Sequence, residues 1–92
     1  MLGHRWIALN YAEGLVRGVS GNMVSLTIGS DAGLQKGHTL DLFRLDRIPA
    51  NSKWLGTVRI IDVRATEAVA EPDGNLKFAP QIGDTVANRI GG

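Results

Sequence analysis

The run Gln35-Lys36-Gly37-His38-Thr39-Leu40 returns 46 positions later as Gln81-Ile82-Gly83-Asp84-Thr85-Val86. Gln, Gly and Thr recur in place, and Leu40 faces Val86. A second match sets Gly14-Leu15-Val16-Arg17 over Gly56-Thr57-Val58-Arg59, 42 positions apart. The four extra residues of the longer offset fit between Glu71 and Ala79, where nine residues stand against the five from Gly29 to Gly33. The chain therefore reads as two copies of one unit, about 14–45 and 56–90. This repetition constrains the fold strongly, because neither copy is large enough to bury its own apolar face.

Each unit reads as three strands. Met23 to Ile28 alternates apolar and polar, so Val24, Leu26 and Ile28 share one face. Leu40 and Leu42 repeat that pattern within Thr39 to Leu42. Thr57 to Val63 is rich in β-branched residues, which suit a pleated sheet. Glu67 to Ala70 and Thr85 to Ile90 are shorter candidates. Ser20-Gly21-Asn22, Gly29-Ser30-Asp31, Pro49-Ala50-Asn51-Ser52 and Pro72-Asp73-Gly74-Asn75 supply turns between them. Asp31 to Lys36 is predicted as one helical turn with Asp31 as its N-cap. Three strands are marginal alone, whereas two sets of three can close a barrel and remove most sheet edges. The predicted fold is an all-β, six-stranded, internally duplicated barrel with a pseudo-twofold axis. Gly37-His38 and Gly83-Asp84 would be its equivalent corners. Gly permits the tight backbone, and the Asp84 carboxylate is placed to accept amide hydrogen bonds at the entry to the last strand.

The composition narrows the function classes. At 92 residues the chain is one small domain, and 43% hydrophobic with 21% charged residues favours a folded chain over disorder. Ten basic against nine acidic residues leave a formal charge of +1, without the broad positive surface of a dedicated nucleic-acid binder. With no cysteine there is no disulfide, thiolate ligand or cysteine nucleophile, and two histidines are too few for most metal cages. The apolar runs are too short for a membrane-spanning helix, and no secretory signal is expected at the start.

The Gly83-Asp84 turn followed by Thr85-Val86 resembles the GD box of cradle-loop barrels, a group of six-stranded, internally duplicated β-barrels. The resemblance covers residues 14–90. More narrowly, Val24 to Ile28, then Gly29-Ser30-Asp31-Ala32-Gly33-Leu34, Gly37 and Arg44, are similar to the C-terminal barrel of flagellar assembly protein T and related bacterial envelope domains. The Leu55-Gly56 strand start and the closing Ile82-Gly83-Asp84-Val86 continue the similarity. His38 departs from it, since a GD-box half would carry Asp there. The resemblance implies a non-catalytic assembly or interaction module, periplasmic or envelope-associated, within a larger protein.

No segment makes a convincing active site or cofactor site. Asp84 is the most tempting acid or base, but no histidine or second carboxylate lies close in sequence, and a corner explains its position. An aspartic-protease dyad would need two equivalent Asp-Thr/Ser-Gly motifs, and the Asp31 and Asp73 loops do not supply them. Gly29 to Gly33 lacks the Lys-Ser/Thr of a P-loop. Glu67, Glu71 and Asp73 are too few oxygen donors for a calcium loop. Before the repeat, residues 1–13 form a separate segment in which Trp6, Ile7, Leu9 and Tyr11 crowd together. Exposing them to water costs about 25 cal/mol per Å² of apolar surface. With Trp54 they are the candidate interaction surface, for the chain's own barrel (14–92), a second copy or a protein partner. Basic residues interleaved with Trp6 and Trp54 also admit a small ligand- or nucleic-acid-binding barrel. A hydrolase fragment is the weakest alternative.

Overall fold

A computed structural model describes residues 9–91. Among the described residues six strands run in order: β1 (Leu9–Ser20), β2 (Met23–Leu26), β3 (Thr39–Arg44), β4 (Lys53–Val63), β5 (Ala68–Pro72) and β6 (Thr85–Gly91). They close into a ring in the order β1-β2-β5-β4-β3-β6, with every neighbouring pair antiparallel. The fold is an all-β, six-stranded antiparallel barrel.

The period-two residues point inward as their spacing dictates. Val24 and Leu26 are buried, as are Leu40 and Leu42. Ile28 lies just past the end of β2 and packs on the core from a half-buried position. Leu55, Val58 and Ile60 fill the core from β4. Burying a side chain of this size contributes about 1.5–3 kcal/mol, and the closed ring lets all six strands share one interior. In β1, Ala12, Gly14 and Val16 turn inward while Glu13, Leu15 and Arg17 turn out. Small residues carry the inner face there, so the alternation is faint in the sequence. The strand is continuous through residue 14, and Leu9–Glu13 pairs with Ala87–Gly91.

The helical turn is shorter and earlier than predicted. A single 3-10 turn spans Ser30–Ala32, and its N-cap is Gly29, without a side-chain cap. Hydrogen bonds from the Ser30 and Asp31 amides to the Arg64 and Ala65 carbonyls hold it instead. The loop thus docks on the β4–β5 hairpin and has no need of a capped helix.

The chain enters β3 and β6 through two corners with the same four hydrogen bonds. At the first, the His38 amide donates to the Gln35 carbonyl (3.1 Å), and the Gln35 amide donates to His38 Nδ1 (3.1 Å). Gly37 N–H reaches the Ile60 carbonyl (2.9 Å), and Ile60 N–H returns to the His38 carbonyl (2.8 Å). At the second, the Asp84 amide donates to the Gln81 carbonyl (3.1 Å), and the Gln81 amide donates to Asp84 Oδ2 (2.8 Å). Gly83 N–H reaches the Val16 carbonyl, and Val16 N–H returns to the Asp84 carbonyl, both at 2.8 Å. Gly37 and Gly83 take φ of +92° and +97°, where a side chain is strained. His38 does the work of an aspartate: accepting at Nδ1, the neutral imidazole carries its proton on Nε2.

That equivalence of acceptors makes a prediction. His38→Asp should hold the corner, leaving stability to urea within about 1 kcal/mol of the native chain, while His38→Leu should lower it by about 0.5–1.5 kcal/mol. Equal losses in the two variants would mean that the Nδ1 bond does not hold the corner.

Candidate functional site

The register puts the two corners at opposite ends of the barrel. Thr85 pairs with Phe43 near the end of β3, whereas His38 precedes the start of β3. The Asp84 end also carries the loop from Asp73 to Asp84, and this loop builds the most distinctive surface among the described residues.

Three devices fix the loop. The Asp73 and Lys77 amides donate to the Thr57 and Leu55 carbonyls, at 2.8 and 2.7 Å, so the loop runs along β4. Gly56 takes a φ of +147° beneath it, and a Cβ there would stand 2.6 Å from Leu76 Cδ2. Only glycine lets Leu76 settle onto the core at this point. The third device is Arg44. Its Nε donates to Asp84 Oδ1 and its NH2 group to Asp84 Oδ2, both at 2.9 Å, and NH2 also reaches the Ala79 carbonyl at 2.8 Å. Asp84 is 3% exposed. A buried carboxylate needs such a bidentate partner, because leaving it unpaired is strongly unfavourable. The hydrogen bond to Asp84 in turn pushes the Arg44 guanidinium above its ordinary range, against the opposing effect of desolvation, so it stays charged.

The pinned loop brings Lys77 and Phe78 beside Lys53 and Trp54 of β4. The ammonium of Lys53 lies 4.7 Å from the centre of the Phe78 ring, and that of Lys77 lies 5.4 Å from the Trp54 ring. Each lysine thus covers the aromatic residue of the other segment. Trp54 is 45% exposed and Phe78 44%. Trp54 Nε1 donates to Asp41 Oδ1 at 3.3 Å, which fixes the indole, and the Thr57 hydroxyl is 3.4 Å from the same oxygen. Beside the patch runs a groove of about 400 Å³, bordered by Asn22, Pro72, Leu76, Lys77, Phe78 and Pro80.

The sequence-derived residues divide between the two ends. Gly83, Asp84 and Trp54 share the patch end. Gly37 and His38 lie at the other, as do the backbone positions of Leu9 and Tyr11, which pair with Gly91 and Arg89 at the far end of β6. Trp6 and Ile7 lie outside the described residues. The bond from the Gln81 amide matches the turn role read for Asp84, but nothing in the sequence pairs it with Arg44, 40 positions away. Lys53, Lys77 and Phe78 were also missed. A signal existed: Lys-Trp at 53–54 and Lys-Phe at 77–78 are the same basic–aromatic pair. Among the described residues there is no group of three or more His, Asp and Glu side chains able to hold a metal ion. No protein-family model matches the chain, and comparison with curated proteins finds no match.

The contrast between ion pairs gives a second prediction. Arg44→Ala should lower stability by about 2–4 kcal/mol, since it leaves Asp84 buried with one amide. Arg59→Ala, which breaks an exposed pair with Asp73, should cost about 0–1 kcal/mol. Similar losses in chemical denaturation would remove the special standing of Arg44.

Proposed function

We propose that this chain is a non-enzymatic assembly or protein-interaction module, a duplicated barrel of the cradle-loop kind within a larger bacterial envelope-associated protein. The duplication is supported by the two corners and their identical bonding. Two bulges agree with it: β1 slips against β2 between Val16 and Gly18, and β4 slips against β5 between Ile60 and Asp62. They equate Val16 with Ile60, 44 positions on, in place of the 42 of the Gly-led match. The strand ring also maps onto itself when β1, β2 and β3 exchange with β4, β5 and β6. The envelope setting rests on the resemblance of Val24 to Arg44 and of the closing Gly83-Asp84 turn.

The observation that carries the functional reading is the pair of half-exposed rings, Trp54 and Phe78, held in place at one end of the barrel. Exposed aromatics on a fixed frame are typical anchors of protein interfaces. The one buried carboxylate nearby has both oxygens engaged, by Arg44 and the Gln81 amide, and serves as a tie within the fold. A general base needs a free oxygen aimed at a substrate proton.

Replacing Trp54 and Phe78 together by serine tests this reading in the protein that carries the chain. The double variant should stay folded by circular dichroism, and the complex it forms in its own cells should lose mass on native sizing. A folded double variant in complexes of unchanged mass would contradict an interaction role for this end.

A further inference from the structure

We infer that Lys53, Trp54, Lys77 and Phe78 form a docking site for an acidic peptide segment of a partner protein, whose carboxylates pair the two lysines while an apolar side chain enters the adjoining groove. The inference rests on the interaction-module reading and adds the chemistry of the partner.

The charge balance at the patch points to carboxylates. Arg17, Arg44 and Arg59 have their own acidic partners in Glu67, Asp84 and Asp73. Lys53 and Lys77 have none among the described residues, and each ammonium faces only a ring. Asp41, the carboxylate that touches the patch, is engaged by the Trp54 indole N–H and the Thr57 hydroxyl. Two uncompensated cations therefore sit at fixed positions over two rings. A carboxylate can bind each ammonium from outside without displacing it, so ring, cation and anion stack in a favourable order.

The same geometry disfavours single-stranded nucleic acid. Base stacking needs an open ring face. Here a lysine ammonium occupies one face of each ring, and a base stacked on that face would have to displace it. The chain's +1 charge also lacks the footprint that tracks a phosphate backbone.

The groove supplies the apolar part. Pro72, Leu76, Phe78 and Pro80 border it among the polar Asn22, Asn75 and Lys77, and its volume of about 400 Å³ admits a leucine- or phenylalanine-sized side chain. Lys77 and Phe78 belong to both groove and patch, so one short segment reaches the two together. The loop is already fixed by Arg44, by Gly56 and by two backbone bonds to β4, which reduces the ordering lost on binding.

Calorimetric titration of the 92-residue chain with three probes tests the inference: a short peptide of alternating Glu and Leu, its Gln counterpart, and oligothymidylate. The Glu peptide should bind, weaken as salt is raised, and exceed both other probes. Lys53→Gln and Lys77→Gln, both at exposed positions, should each weaken it about two- to fivefold. Equal binding of the Gln peptide, no binding of the Glu peptide, no effect of either lysine variant, or tighter binding of oligothymidylate would each overturn the inference. If native complexes still depend on Trp54 and Phe78 while the Glu peptide fails to bind, the acidic partner is wrong and the interaction role stands.

Discussion

The ion pair between Arg44 and Asp84 is the interaction on which one end of this barrel depends. Asp84 is buried because the corner needs an acceptor for the Gln81 amide under the entry to β6. A buried carboxylate is costly until a cation matches both of its oxygens. Arg44, on the neighbouring strand β3, has the planar fork to do so. Its remaining reach goes to the Ala79 carbonyl. One guanidinium therefore joins the end of β3, the start of β6 and the loop between β5 and β6.

The opposite corner shows why this happens once. His38 accepts the Gln35 amide through a neutral ring nitrogen, and the bonding pattern is otherwise the same. A neutral acceptor at a half-buried position needs no cation. A charged acceptor as deeply buried as Asp84 does, and the cation it recruits also secures a loop. That loop carries Lys77 and Phe78 to Lys53 and Trp54. The surface proposed to bind a partner is thus a consequence of which acceptor occupies the second corner. A small barrel without disulfides has little stability in reserve, so cross-links of this kind matter more here than in a large domain.

Much of the fold was legible because it is written at period two. Val24, Leu26, Leu40 and Leu42 each announced an inward face, and the repeated Gln-x-Gly-x-Thr run marked both corners. β1 was harder to read, since Ala12 and Gly14 line its inner face and carry little hydrophobic signal. The 3-10 turn was misplaced because its amides bond to the β4–β5 hairpin, which is distant in sequence. The candidate site was the least legible part. Trp54 stood out as an aromatic residue, but its setting depends on Lys77 and Asp41, and such contacts exist only once β4, β3 and the loop are side by side. Asp84 was legible as a turn residue, but its pairing with Arg44 exists only once the register joins them.

Hydrogen exchange on an Arg44→Lys variant tests the central role of this pair most directly. Lysine keeps the charge but cannot bind both carboxylate oxygens and the Ala79 carbonyl at once. Exchange should be faster at the Lys77, Gln81 and Gly83 amides, which lie in the pinned loop and its corner, with Leu26 and Ala70 in the β2–β5 wall keeping their protection. Unchanged exchange at the loop amides, or an equal loss across the whole barrel, would contradict that role.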